Sequence, residues 1–207
     1  GGQVTFVNKH TPATRSISKG QNAVSLLDFD VIAQQFVEFQ TLPVKVYAKD
    51  GQTNIFGGSD DGNNDDTDGL INGKNTSGTS DDTANLLSIR IIDRDTGQTL
   101  FGPQELSIVS IANNDAVQTL DFTDTFFMQA GETRHMSVVA NVPTNAGNED
   151  FAVGVDVANA TIEDVNGDTI TDKVPNAEIR GNVQTTTASS LSVSLASNPT
   201  SNTVIAG

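Results

Sequence analysis

The 207-residue chain has no cysteine and no tryptophan, a single tyrosine and only two histidines. Without cysteine there are no disulfides, no thiol catalysis and no cysteine-based metal site. His10 and His135 lie far apart in sequence, which leaves little for zinc or a histidine-based triad, and each reads as a surface side chain. Positive charge is scarce too: 11 Lys plus Arg stand against 26 Asp plus Glu, a formal net charge of −15. Phosphate backbones and anionic membrane surfaces repel such a chain, so no nucleic acid partner is expected. No apolar run approaches the ~20 residues of a spanning helix, so no membrane insertion is expected. No basic-then-apolar leader precedes Gly1, as expected of a mature chain or an excised piece.

What the chain does have is a globular composition, with 36% hydrophobic residues, 18 Gly and 6 Pro. Val, Ile, Thr and Phe recur in short alternating runs bounded by Gly, Asn, Asp and Pro, the pattern of strands with one face inward. In Glu132 to Val142, Met136, Val138, Ala140 and Val142 share one apolar face and Thr133, His135, Ser137, Val139 and Asn141 the other, largely wet one. Leu86 to Asp93 alternates less cleanly, with Leu87, Ile89 and Ile91 on a side opposite Ser88 and Arg90. Further strands are expected at Val4 to Val7, Ala23 to Ala33, Pro43 to Ala48, Leu106 to Ile111, Val117 to Phe122 and Phe151 to Val157. Over Val31 to Phe39 a short helical turn competes, because Ile32, Phe36 and Phe39 also match a helical spacing; strand or extended bend is preferred. The number and spacing of strands predict an all-β fold, an antiparallel, immunoglobulin-like β-sandwich with a long acidic loop inserted at residues 51–85. Residues 1–187 make either one sandwich or two smaller ones sharing a boundary near 95–105.

The two ends repeat each other. Gln3 to Gly20 (QVTFVNKHTPATRSISKG) aligns without a gap to Ser190 to Gly207 (SLSVSLASNPTSNTVIAG) at one offset of 187 residues, which pairs Pro12 with Pro199 and Gly20 with Gly207. At that offset Val4 meets Leu191, Phe6 meets Val193 and Ile17 meets Val204, so the period-2 apolar phase is kept. Residues 188–207 are therefore expected to link to another unit, and function lies in how units join. In a tandem array they begin the next sandwich, with Gln184 to Ser190 as polar linker. In a polymer of separate subunits they add a strand to a neighbour's sheet edge, with Leu191, Val193, Leu195 and Val204 as the assembly positions. Either way the expected partners are copies of the unit.

The apolar strand, the Pro-Ala or Pro-Thr, the polar run and the Ile-Ser-Lys-Gly or Val-Ile-Ala-Gly turn, followed by VSLLDFDV, resemble the repeats of very large bacterial cell-surface proteins of candidate-phylum type. The resemblance covers chiefly residues 1–33 and 188–207. The segment AGETRHMSVVANVP is similar to a strand of many secreted immunoglobulin-like modules. The resemblance implies an extracellular structural or adhesive role at the cell surface, and it carries over no catalytic residue.

The acidic insertion is not matched by that resemblance. Between Asp50 and Leu86, Asp60, Asp61, Asp65, Asp66, Asp68, Asp81 and Asp82 are opposed by Lys74 alone. Carboxylates at this density repel each other unless water or a cation screens them, and closely spaced oxygen donors are what calcium takes. Asn64, Asp66 and Asp68 occupy positions 1, 3 and 5 of an N-x-D-x-D-G-x-I pattern, with Gly69 at the turn and Ile71 as anchor. The twelfth position is Asn75 where a bidentate Glu is expected, so Asp81 or Asp82 must complete the shell or affinity is lower. Asp60 and Asp61 are further donors, and the competing reading is a solvated acidic loop. A second, weaker metal candidate is Asp164, Asn166 and Asp168; Asn166-Gly167 between Ile162 and Ile170 is better read as a hairpin turn. Asp93 to Gly97 is likewise expected to be a turn joining Ile92 to Leu100.

Catalytic carboxylates usually sit in partly apolar pockets, whereas these cluster in Gly- and Asn-rich loops, so no enzyme is expected. Carbohydrate platforms need flat aromatics; here Tyr47 is the one tyrosine, and the phenylalanines suit a core. The expected function is a structural extracellular unit of a surface filament or layer, joined by strand pairing and stiffened by calcium. The alternative is an adhesin or ligand-binding module whose acidic loop contacts a partner.

Overall fold

The computed structural model describes residues 2–49, 54–57, 86–107, 117–147 and 149–188. They form fourteen strands in two sheets: β1 (Val4–Asn8), β2 (Arg15–Ser18), β3 (Val24–Ala33), β4 (Val37–Ala48), β5 (Leu87–Asp93), β6 (Thr99–Gln104), β7 (Val117–Phe122), β8 (Phe126–Met128), β9 (Thr133–Asn141), β10 (Asp150–Asp156), β11 (Thr161–Glu163), β12 (Lys173–Val174), β13 (Glu178–Arg180) and β14 (Gln184–Thr187). The first sheet runs β12-β1-β3-β9-β5-β6. The second runs β11-β4-β10-β14-β2, with β7 and β8 also paired to β4, and β13 to β10. The fold is the expected all-β sandwich. Most pairs are antiparallel, but β1 with β12 and β2 with β14 run parallel, which makes both sheets mixed.

Alternation explains most of the strands. In β3 the apolar phase slips once: the pairing to β9 shifts between Ser25 and Leu27, so that Leu26 and Leu27, adjacent in sequence, are both buried. Beyond the slip Leu27, Phe29, Val31 and Ala33 are buried, and Asp28 and Ile32 are half-buried. The chain bends at Gln34 and Gln35 before β4, so Val31 to Phe39 is two strands and a bend rather than a helical turn. β4 begins six residues before Pro43, because Val37 and Phe39 are also buried, against β8 and β11.

Phenylalanines fill the space between the sheets. Phe6 lies 6.2 Å from Phe29 and 6.3 Å from Phe39, and Phe39 continues to Phe101 at 5.8 Å. Ile89, Ile91 and Phe101 share one core with Phe39, Phe122 and Val155, so strands on both sides of residues 95–105 belong to the same sheets. The expected core role fails at Phe127, which is 49% exposed and rests against Phe36.

The expected turns are present. Asp93 accepts the backbone N–H groups of Asp95 and Thr96 on one carboxylate oxygen, and Gly97 N donates to Asp93 O at 2.8 Å. Ile170 N donates to Ile162 O at 2.8 Å, closing the Asn-Gly hairpin. Gln184 to Thr187, read from sequence as the start of a linker, is instead β14. Polar composition misled there: Gln184 and Thr186 are buried because each has partners inside the sheet. Leu106, expected to open a strand, is buried outside any strand, and residues 108–111 lie outside the described part.

Candidate assembly site

Residues 3–20, read from sequence as the counterpart of the chain's end, are β1 followed by β2, one strand in each sheet. β1 lies between β3, antiparallel from Val4↔Ala33 to Asn8↔Phe29, and β12. β2 pairs with β14 in parallel register from Arg15↔Gln184 to Ser18↔Thr187. Val4, Phe6 and Ile17 point into the core, and Phe6 is 3% exposed. Gly20 ends the segment with φ +84°, a left-handed conformation that favours glycine, and its N–H donates to Val142 O at 2.8 Å.

Between the strands the segment is held largely by its main chain. Asn182 Nδ2 donates to His10 O at 3.0 Å and to Pro12 O at 2.9 Å, and Gln184 Nε2 donates to Ala13 O at 3.2 Å. Asp28 N donates to Thr11 O at 2.8 Å, and Lys9 N to Asp28 O at 3.0 Å. Carbonyl and N–H partners are offered by any residue, so this part of the seat is indifferent to side-chain identity.

Side chains add a second, selective set of contacts. Asn8 Nδ2 donates to Arg180 O at 2.8 Å, Thr11 Oγ1 to Asp28 Oδ2 at 2.8 Å, and Arg15 reaches Gln184 Oε1 and Ser25 O, each at 3.2 Å. Lys9 Nζ stands 3.2 Å from Asp30, whose carboxylate also meets Arg94 at 2.5 Å and His135 Nδ1 at 2.9 Å. Asp30 is 8% exposed. Burial pushes its carboxyl pKa up, but hydrogen bonds and charge from His135 and Lys9 outweigh burial and hold it below the usual carboxylate range. His10 is exposed, and His135, half-buried at the surface, places Nδ1 2.9 Å from an Asp30 oxygen.

Of the residues singled out by sequence, the calcium candidates Asp60, Asp61, Asn64, Asp66, Asp68, Asp81 and Asp82 lie outside the described residues, as do Leu191, Val193, Leu195 and Val204 of the assembly strand. The flanks of the acidic insertion are described: Ile55 and Phe56 pack with Tyr47 outside the main core, and Leu86 is buried within it. Asp164, Asn166 and Asp168 form the β11 turn, where one Asp164 oxygen accepts Asn166 N at 2.8 Å and Asp168 N at 3.1 Å. Asp164, Asp168 and Asp172 line a shallow cavity of about 260 Å³ with Gly2 and Gln35. Sequence reading missed Asn182 and Gln184, since isolated amides near a short strand carry no spacing signal.

Fold and seat together define a β-sandwich whose first two strands, one per sheet, are anchored by core side chains and whose connection is held largely through its backbone. No family model matches the sequence, and no curated protein matches it. Among solved structures, a chain in the crystal structure of a CaDoc0917–CaCohA2 complex at pH 5.5 is similar, at 14% identity and a TM-score of 0.30, over 90% of this chain and 99% of that chain.

Proposed function

We propose that the chain is a structural, non-enzymatic module of an extracellular or cell-surface protein, joined to neighbouring units through the sequence element that makes β1 and β2. The observation that carries this reading is where the repeated positions fall. Leu191 stands for Val4, Val193 for Phe6 and Val204 for Ile17, and all three counterparts are core residues of this unit. Gly207 stands for Gly20, the residue whose φ of +84° favours glycine. A chance similarity between two strand-turn segments has no reason to reproduce core positions in both sheets together with that glycine. On this reading residues 188–207 supply the opening element of a further unit, in a tandem array or a filament.

Calcium at the acidic insertion, on Asn64, Asp66 and Asp68 with carboxylates from Asp60, Asp61, Asp81 or Asp82, stiffens the module. Support comes from donor chemistry and spacing.

The joining role is tested by removing residues 188–207. If they belong to another unit, the shortened protein keeps the thermal midpoint and amide-exchange protection of the full chain. A lowered midpoint would mean that they complete this sandwich, and the reading would fall.

A further inference from the structure

Asn166 stands apart from other asparagines of the sandwich. The side-chain amides of Asn8, Asn159 and Asn182 donate to Arg180 O, to Asp156 Oδ2 and to the carbonyls of His10 and Pro12, and Asn141 Oδ1 accepts from Ala23 N. The Asn166 side-chain amide makes no hydrogen bond among the described residues, and Asn166 is exposed in the β11 turn. Among the described residues it is also the one asparagine followed by glycine. Gly167 has no Cβ to shield its main-chain nitrogen, its φ is +81°, and a Cβ built there would meet no atom within 4 Å. The Asn166–Gly167 peptide is therefore open to water on that side.

The turn works against that opportunity. Gly167 N donates to Asp164 O at 3.0 Å, and one Asp164 carboxylate oxygen accepts Asn166 N at 2.8 Å and Asp168 N at 3.1 Å. A main-chain nitrogen whose proton is held by a carbonyl is a poor nucleophile, and it must leave that bond before it can reach its neighbour's side chain.

We propose that Asn166 is a site of spontaneous deamidation, paced by opening of this turn. Once the bond to Asp164 O breaks, Gly167 N loses its proton to a solvent base and attacks Asn166 Cγ. The Cγ–Nδ2 bond breaks and Nδ2 leaves as ammonia. Water then opens the resulting cyclic imide at either carbonyl, leaving aspartate or isoaspartate at position 166. The net change is water taken up and ammonia released, with no oxidant or reductant. Isoaspartate lengthens the main chain by one methylene inside the loop closed by the Ile170 N to Ile162 O bond. Either product adds a carboxylate between Asp164 and Asp168, two of the aspartates that line the cavity at Gly2 and Gln35. Every group involved belongs to this hairpin, so the chemistry holds whether or not units join.

The test ages the full chain in mildly alkaline buffer, folded in one sample and unfolded by guanidinium chloride in the other. Peptide mapping by mass spectrometry follows the replacement of NH2 by OH at each asparagine. In the folded sample position 166 is expected to convert ahead of Asn8, Asn141, Asn159 and Asn182, at a rate roughly tenfold or more below its rate in the unfolded chain, the pace of a local opening. Asp164→Ala, which removes the acceptor of Asn166 N and Asp168 N, is expected to move the folded rate toward the unfolded one. Equal rates at 166 in the two samples would show that the turn exerts no control. An intact Asn166 in folded protein, after the unfolded sample has converted, would show that no opening exposes it. Either result overturns the proposal, as does an Asp164→Ala protein that folds, by its circular dichroism, and converts no faster. The comparison of folded with unfolded native sequence decides the matter even if that variant fails to fold.

Discussion

Asn182 Nδ2 spans the carbonyl oxygens of His10 and Pro12, at 3.0 and 2.9 Å, and so ties the connection between β1 and β2 to the segment that leads into β14. One amide holds two main-chain acceptors on a part-buried surface. Asn182→Ala is expected to destabilise the module by about 1–2 kcal/mol, the cost of leaving such acceptors without a protein donor. Urea unfolding checks it. An unchanged midpoint would mean that water replaces the amide fully and that the main-chain seat contributes little.

Asp30 is one of three low-pKa carboxylates expected to shape stability in acid. Its pKa is held low in the folded state, as are those of Asp93 and Asp156; in all three, burial acts upward and is outweighed. The opposing partners are the Asp95 and Thr96 N–H groups and Arg134 for Asp93, and Asn159 and Lys45 for Asp156. A lowered folded pKa gives stability that is complete above the unfolded carboxylate value of ~3.9 and is lost as pH falls through it toward the folded values. Thermal midpoints are therefore expected to be level from neutral pH to about pH 5 and to drop steeply below ~4. Asp30→Asn removes a charge facing Lys9, Arg94 and His135 and is expected to lower neutral-pH stability by about 1–3 kcal/mol while making the acid slope shallower. An unaltered slope would show that Asp30 is not one of the groups that titrate on unfolding.

Legibility in the sequence followed how local each signal was. Strands such as β9 and β10, with alternating apolar residues, and the Asn166-Gly167 hairpin could be read directly, because the pattern and its cause lie within a few residues. Short strands such as β2, β12 and β14 could not. Their stability comes from partners far away in sequence, as when Thr186 is buried against Gly147 and Glu149. The parallel pairing of β2 with β14 was hidden for the same reason. Alignment of the two ends directed attention to residues 3–20, but the donors that read their carbonyls, Asn182 and Gln184, are visible only once the sheets are assembled. Asp30 was hidden too: an acid inside a strand looks like a solvated side chain until Lys9, Arg94 and His135 are found around it.

Two phenylalanines separate packing from exposure. Phe6 sits in the core against Phe29 and Phe39, whereas Phe127 is 49% exposed and meets Phe36 at 5.9 Å. Phe6→Ala is expected to cost about 3–5 kcal/mol, transfer and cavity together, and Phe127→Ala less than about 1 kcal/mol. Chemical denaturation of both variants gives the comparison. Similar costs would place Phe127 in a buried contact of the native protein in solution.

Calcium is the remaining expectation, and its size can be bounded. Seven aspartates between Asp60 and Asp82 face Lys74 alone, so calcium bound in the folded protein would relieve repulsion that the unfolded chain relieves by expanding. Asn75 at the twelfth position puts affinity in the weak extracellular range, roughly 10⁻⁴ to 10⁻³ M. With a dissociation constant of about 1 mM, calcium near 10 mM stabilises by about 1.4 kcal/mol through mass action. For a domain of this size that raises the thermal midpoint by about 3–6 °C. Asp66→Asn and Asp68→Asn are each expected to reduce the rise, and a chelator to remove it. The acid profile discriminates further, since calcium-dependent stability must vanish as these carboxylates protonate. Titration calorimetry without heat, together with a midpoint indifferent to millimolar calcium, would leave the insertion as solvated acidic chain and withdraw the ion from the assembly.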